Sequence, residues 1–131
     1  MRKLSALFFM GFALLQWADF AEATSIENAF NNHESDEQVK GAGRVIRILK
    51  DDHQAFRYQR FILKLLSEQT VLVAHNIDLI PRIHSISNGE AIQFYGEYEW
   101  NNKGGVVHWT HRDPNGRHDG GWLKHNGKTY Q

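Results

Sequence analysis

No cysteine occurs among the 131 residues. That excludes a disulfide framework, a lipid-bearing cysteine and a thiol nucleophile, so packing alone must hold the fold together. An excess of charge of one sign is also missing: 15 Lys and Arg stand against 15 Asp and Glu, beside eight histidines. Indiscriminate nucleic-acid binding draws on surplus Lys and Arg to neutralise phosphates, so a neutral chain is a poor candidate for it. A long hydrophobic run is lacking too. The apolar stretch from Leu7 to Leu15 is broken by Gln16 and Asp19 and falls short of the ~20 residues that cross a bilayer. Finally, Ser67, Ser85 and Ser87 lie outside any nucleophile elbow, which leaves serine catalysis unsupported.

What is present begins with an export signal. Arg2 and Lys3 precede the apolar stretch, and Ala21-Glu22-Ala23 supplies a small-x-small cleavage site, the order of a signal peptide over 1–23. Cleavage after Ala23 would start the mature chain at Thr24, in the periplasm or outside the cell, with no membrane insertion; an uncleaved anchor is the rival reading. Removing the signal takes Arg2, Lys3, Asp19 and Glu22, which leaves the remainder neutral. Charge is unevenly spread, however. Acidic residues concentrate in 24–43 and basic ones in 101–131, so an anionic ligand should be sought near the end of the chain.

The rest divides into a polar segment at 24–40 and a β-rich domain at 41–131. In the former, Ser25 could cap a short helix with Ile26, Ala29 and Phe30 on one face, followed by a linker over 31–36. Arg44 to Leu49 reads as a first strand. A second, from about Arg57 to Leu66, would bury Phe61, Leu63 and Leu65; its spacing also fits a helix, but its shortness and bounding turns favour a strand. Thr70 to His75 is the third, and Leu79 to Ile86, containing Pro81, suits a short helix or irregular link. Beyond Asn88-Gly89, the alternation of Ile92, Phe94, Tyr98 and Trp100 with Gln93, Tyr95, Glu97 and Glu99 predicts a fourth strand that buries the first set. Gly96 falls in that buried set, where a missing side chain permits a sharp coil. Val106 to Thr110 is the fifth strand, and only Trp122-Leu123 anchors the tail. Three strands, a link and two more strands give an all-β expectation: a five-stranded barrel of the OB-fold kind, with an SH3-like barrel as the alternative.

The densest chemistry is the stretch from His108 to Trp122. Side chains alternate along a strand, so His108 and His111 face opposite ways unless the strand ends between them. Asp113-Pro114-Asn115-Gly116 is a turn signature that makes such an ending reasonable. His111, Asp113 and His118 are therefore the candidate ligands for a divalent metal, although their spacing matches no specific zinc motif and no cofactor is otherwise expected. His75 and Asp78 form a second candidate pair, with turn and core roles as the plainer explanation. For ligand binding, OB barrels use stacking aromatics and flanking loops. Trp109, Trp122, Tyr58, Tyr95 and Trp100 are the aromatics, Arg112 and Arg117 the cations beside them, and His108 joins this set. Of the tryptophans, Trp100 continues a buried register, Trp109 shares a face with Val107, and Trp122 between glycines and Lys124 is the best exposed.

The stretches Val73-Ala74-His75-Asn76-Ile77-Asp78-Leu79, Gly96-Glu97-Tyr98-Glu99-Trp100-Asn101, Gly104-Gly105-Val106-Val107-His108-Trp109-Thr110-His111 and Gly120-Gly121-Trp122-Leu123 resemble a bacterial family of short exported proteins of unknown function. The resemblance covers about Gly41 to Gln131. It implies a shared fold and imports no activity. The residues favour a binding module for an anionic ligand, such as an oligosaccharide, a nucleic acid or a phosphorylated molecule, over an enzyme. A metal-dependent hydrolase, a nuclease or phosphoesterase first, is the alternative, and a protein partner is a third.

Overall fold

A computed structural model describes residues 26–131. The expected signal peptide, its expected cleavage site and the expected Ser25 cap lie outside the described residues. A short helix, α1, spans 26–31, and seven strands follow: β1 (Glu37–Ile48), β2 (Tyr58–Leu65), β3 (Thr70–Asn76), β4 (Ala91–Glu99), β5 (Val106–His108), β6 (Trp122–His125) and β7 (Lys128–Tyr130). The sheet order is β1-β2-β3-β5-β4-β6-β7, and β4 also pairs with β1. Strands β1 to β5 thus close into an all-β barrel. The β3–β5 contact is parallel, while the other pairings are antiparallel. This is the Greek-key order of an OB-fold barrel, and the SH3-like alternative falls away.

Closure depends on a long β1. Its first part, Glu37 to Arg44, pairs with β4, and its second part, from Gly43, pairs with β2 across a bulge between Val45 and Arg47. A bulge sharpens the local twist and bend, which lets one strand serve two neighbours on opposite sides of a small barrel. The strand therefore starts at Glu37 and not at the expected Arg44, and the polar 24–40 segment contributes both a strand and a helix. Polarity misled there because Glu37 to Lys40 sit at the barrel's outer surface, with Val39 alone buried inside.

Alternation holds wherever a strand lines the core. Phe61, Leu63, Leu65, Val71, Val73, Ile92, Phe94, Tyr98, Val107 and Leu123 all point inward and are almost fully buried, as period-two side chains on a one-sided sheet must be. Ile26 and Ala29 of α1 plug the barrel. Trp100 lies beyond β4, half-buried, where its indole Nε1 donates to Phe30 O at 3.0 Å and its ring packs on α1. The expected core tryptophan is thus a lid over the helix.

Segment 77–90 is an irregular link without a helix. Gln59, buried in β2, substitutes for a strand partner: its amide Nε2 donates to Ile83 O and its Oε1 accepts from Ile83 N, both at 2.8 Å. Such pairing satisfies backbone groups that burial would otherwise leave unpaired.

Strand β5 is short because the chain leaves the sheet at Trp109, whose φ of 54° lies in the left-handed region that bulky residues rarely adopt. Opposite β4, His108 faces Glu97 and Trp122 faces Tyr95. β5 and β6 therefore run in the same direction along one edge of β4, and loop 109–121 is an excursion from that shared line. Gly96 stands opposite the gap. A Cβ there would lie 2.5 Å from His108 O and 3.0 Å from Val107, which explains the glycine within a buried register. The β6–β7 hairpin, unexpected from the sequence, turns at Asn126-Gly127, both with positive φ.

Candidate functional site

The ends of β2, β3 and β5 meet at one pole of the barrel. A cleft of about 240 Å³ opens there, lined by Phe56, Tyr58, Leu79, Trp109 and Pro114 with polar contributions that include His108 and His111. Its rims come from the β1–β2 loop, the 77–90 link and the 109–121 excursion. The first two are braced together. Arg57 donates from its backbone N and from Nε to the Asp78 carboxylate, at 2.8 Å each, and Arg82 pairs with Asp51. Phe56 and Leu79, on the two braced rims, remain 55% and 48% exposed.

The third rim has its own scaffold. The Asp113 carboxylate accepts from the backbone N of Asn115, Arg117 and His118, at 3.1, 2.8 and 2.8 Å. These bonds hold its pKa below the usual carboxylate range. Gly121 N donates to His111 O at 2.7 Å and closes the base of the loop; a Cβ at Gly121 would collide with Trp109 O and Tyr95 O. Inside the loop, the Trp109 ring stacks on His118 at 4.0 Å and on His111 at 5.3 Å between centroids. Its indole Nε1 is buried without a partner, an unfavourable arrangement that the surrounding packing must offset. Arg112 and Arg117 are exposed on this loop.

The expected metal set is not assembled. His111 Nδ1 faces Arg112 O at 2.7 Å, Asp113 is engaged by the loop backbone, and His118 turns to β4. Among the described residues, the group of donors close enough to share an ion is instead Glu97, Glu99 and His108, whose ligand atoms all lie within 4.8 Å of one another. Glu97 is shared: its Oε1 is 3.1 Å from His118 Nε2 and its Oε2 is 3.2 Å from His108 Nε2. Asp119 O accepts from His118 Nδ1, and with the Glu97 carboxylate it raises the His118 pKa above that of an ordinary imidazole. The Glu99 carboxyl is also pushed up, by burial first and then by the neighbouring Asp36 carboxyl.

His75 and Asp78 do not act as a pair. His75 is fully buried behind the cleft, with Nδ1 2.8 Å from Thr110 Oγ1 and Nε2 3.3 Å from Pro81 O. A carbonyl only accepts, so Nε2 carries the proton and the Thr110 hydroxyl donates to Nδ1. Asp78 is the rim brace. Trp122 is half-buried beside Tyr95 on the outer face, with Lys124 Nζ 4.5 Å from its ring centroid, away from the cleft lining.

Sequence reasoning missed Phe56, Leu79 and the two glutamates. Glu97 and Glu99 carried a signal, since residues two apart on a strand share a face; Phe56 and Leu79 are local loop residues with none.

A family model described as "Protein of unknown function (DUF3465)" matches residues 8–131. The chain belongs to the DUF3465 family. The match takes in the 24–40 segment as well as the barrel, in keeping with the part that α1 and the start of β1 play in this DUF3465 fold. No curated protein matches the chain.

Proposed function

We propose that the protein is an exported binding module that seats one ring of an anionic ligand in the polar-end cleft, the ligand being an oligosaccharide, a nucleic acid or a phosphorylated molecule. The cleft carries this reading. Its volume of about 240 Å³ is below the ~300–1,000 Å³ of pockets that enclose a whole small molecule, so it suits one unit of a larger ligand that runs on over the rims. Phe56, Tyr58 and Trp109 offer aromatic surface of the kind that holds sugar rings and bases. Arg112 and Arg117 supply positive charge on the third rim, while overall neutrality favours selective over bulk polyanion binding.

The test uses two probes, an oligouronate and a short oligothymidylate, followed by calorimetry on untagged protein. Phe56→Ala should weaken the bound probe by at least about tenfold, the value of one good stacking contact. Arg112→Ala and added salt should weaken it further. Absence of binding to both probes below the millimolar range, or an unchanged affinity in Phe56→Ala, would overturn the reading.

A further inference from the structure

We propose that Glu97, Glu99 and His108 form a binding site for a divalent transition ion on the outer face of the barrel, at the edge of the cleft that His108 also lines.

The argument is geometric. His108 Nε2 lies 3.2 Å from Glu97 Oε2 and 3.5 Å from Glu99 Oε1. A charge-assisted hydrogen bond closes to about 2.7–2.9 Å, and the single Nε2 proton cannot point along both directions. Around a tetrahedral ion with bonds of about 2.0–2.2 Å, neighbouring donors stand about 3.3–3.6 Å apart. The two separations from His108 are close to the edge length of a coordination tetrahedron, and all three donor atoms lie within 4.8 Å of one another.

Placement supports it. Glu97 and Glu99 project from the same face of β4, and His108 faces Glu97 across the β4–β5 ladder, so two rigid strands supply all three donors. His118 Nε2 occupies the other oxygen of Glu97, which leaves Oε2 aimed at His108. That is the outer-shell partnership that orients ligating carboxylates. Trp109 in turn packs on the His118 ring. Two carboxylates and one imidazole select zinc or manganese over magnesium or calcium, which prefer all-oxygen sites. Three protein ligands would leave a coordination position for water or for a ligand group.

The test titrates untagged protein with Zn²⁺ by calorimetry and with Co²⁺ by visible absorption. A single equivalent should bind in the micromolar range or tighter, and Co²⁺ should show the intense bands of a tetrahedral site. His108→Gln and Glu99→Gln should each weaken Zn²⁺ by at least about tenfold with unchanged circular dichroism, and His118→Gln by about tenfold. His111→Gln and Phe56→Ala should leave it unchanged, the latter separating ion binding from ring stacking in the cleft. Any of three results would overturn the proposal: no saturable Zn²⁺ binding below millimolar, full affinity in both His108→Gln and Glu99→Gln, or loss of binding in His111→Gln.

Discussion

Lowering the pH from neutrality towards 5 should destabilise this protein through one residue, His75. Burial lowers its pKa from 6.5 to about 4, and His111 and Arg82 add charge repulsion to the same effect, although the bond to Pro81 opposes it. The edge of the Tyr130 ring also packs on it. Because the folded pKa lies below the unfolded one, the unfolded chain binds the proton first. The stability from a neutral His75 is fully present above about pH 6.5 and is lost as pH falls towards about 4. With 1.36 kcal/mol per pKa unit, the loss is roughly 2 kcal/mol by about pH 5 and about 3 kcal/mol when complete. Against a total of ~5–15 kcal/mol for a domain, that is a large fraction. Asp78, Glu90 and Asp113, whose pKa values are lowered, lose their contributions only below the ordinary carboxylate range. His118, whose pKa is raised, acts in the opposite sense, its contribution fading as pH rises above about 6.5. Urea unfolding at several pH values from about 8 to 5 measures the effect. His75→Asn keeps an acceptor for Thr110 but cannot titrate, so it should be less stable at pH 8 and show a flatter pH dependence below about 6.5. An equal slope in both proteins, or an NMR titration of His75 near the free imidazole value, would refute the reasoning.

Three further outcomes are expected. Gln59→Leu strips both partners from the buried Ile83 backbone and should lower stability by roughly 2–4 kcal/mol, read as a shift of the urea midpoint. Asp113→Ala removes the acceptor for the amides of Asn115, Arg117 and His118; those amides should lose hydrogen-exchange protection while β-sheet circular dichroism stays constant, and continued protection would contradict the scaffold role. Protein recovered from its native host should begin at Thr24, a point that N-terminal sequencing decides.

The barrel was legible because its core strands alternate so regularly. Phe61, Leu63 and Leu65, and then Ile92, Phe94 and Tyr98, declare one buried face each, and the link after the third strand suggested the order in which they close. The start of β1 was not legible, since Glu37 to Lys40 carry one buried side chain among polar ones. The β6–β7 hairpin should have been: Asn126-Gly127 between short alternating segments is the strongest short turn signal there is. For the candidate site, the 108–122 stretch contributes His108 to the close donor group with Glu97 and Glu99, while His111, Asp113 and His118 are not brought together. His111, Asp113 and His118 lie close in sequence, yet Asp113 is consumed by its own loop. The partners of His108 come from β4, a pairing that only strand register reveals. Trp109 carried no warning of its left-handed backbone.

The continuous line made by β5 and β6 has a consequence for how this family can diversify. Register against β4 is set independently on both sides of the excursion, at His108 and at Trp122. The number of residues between His111 and Gly121 is therefore free to change without moving any core side chain to the wrong face. Thr110 and His111 root the loop, and the His111 O to Gly121 N bond seals its neck. Everything beyond that neck is an exchangeable cassette. Loop length and side chains can change there while the barrel keeps a single, unbroken closure.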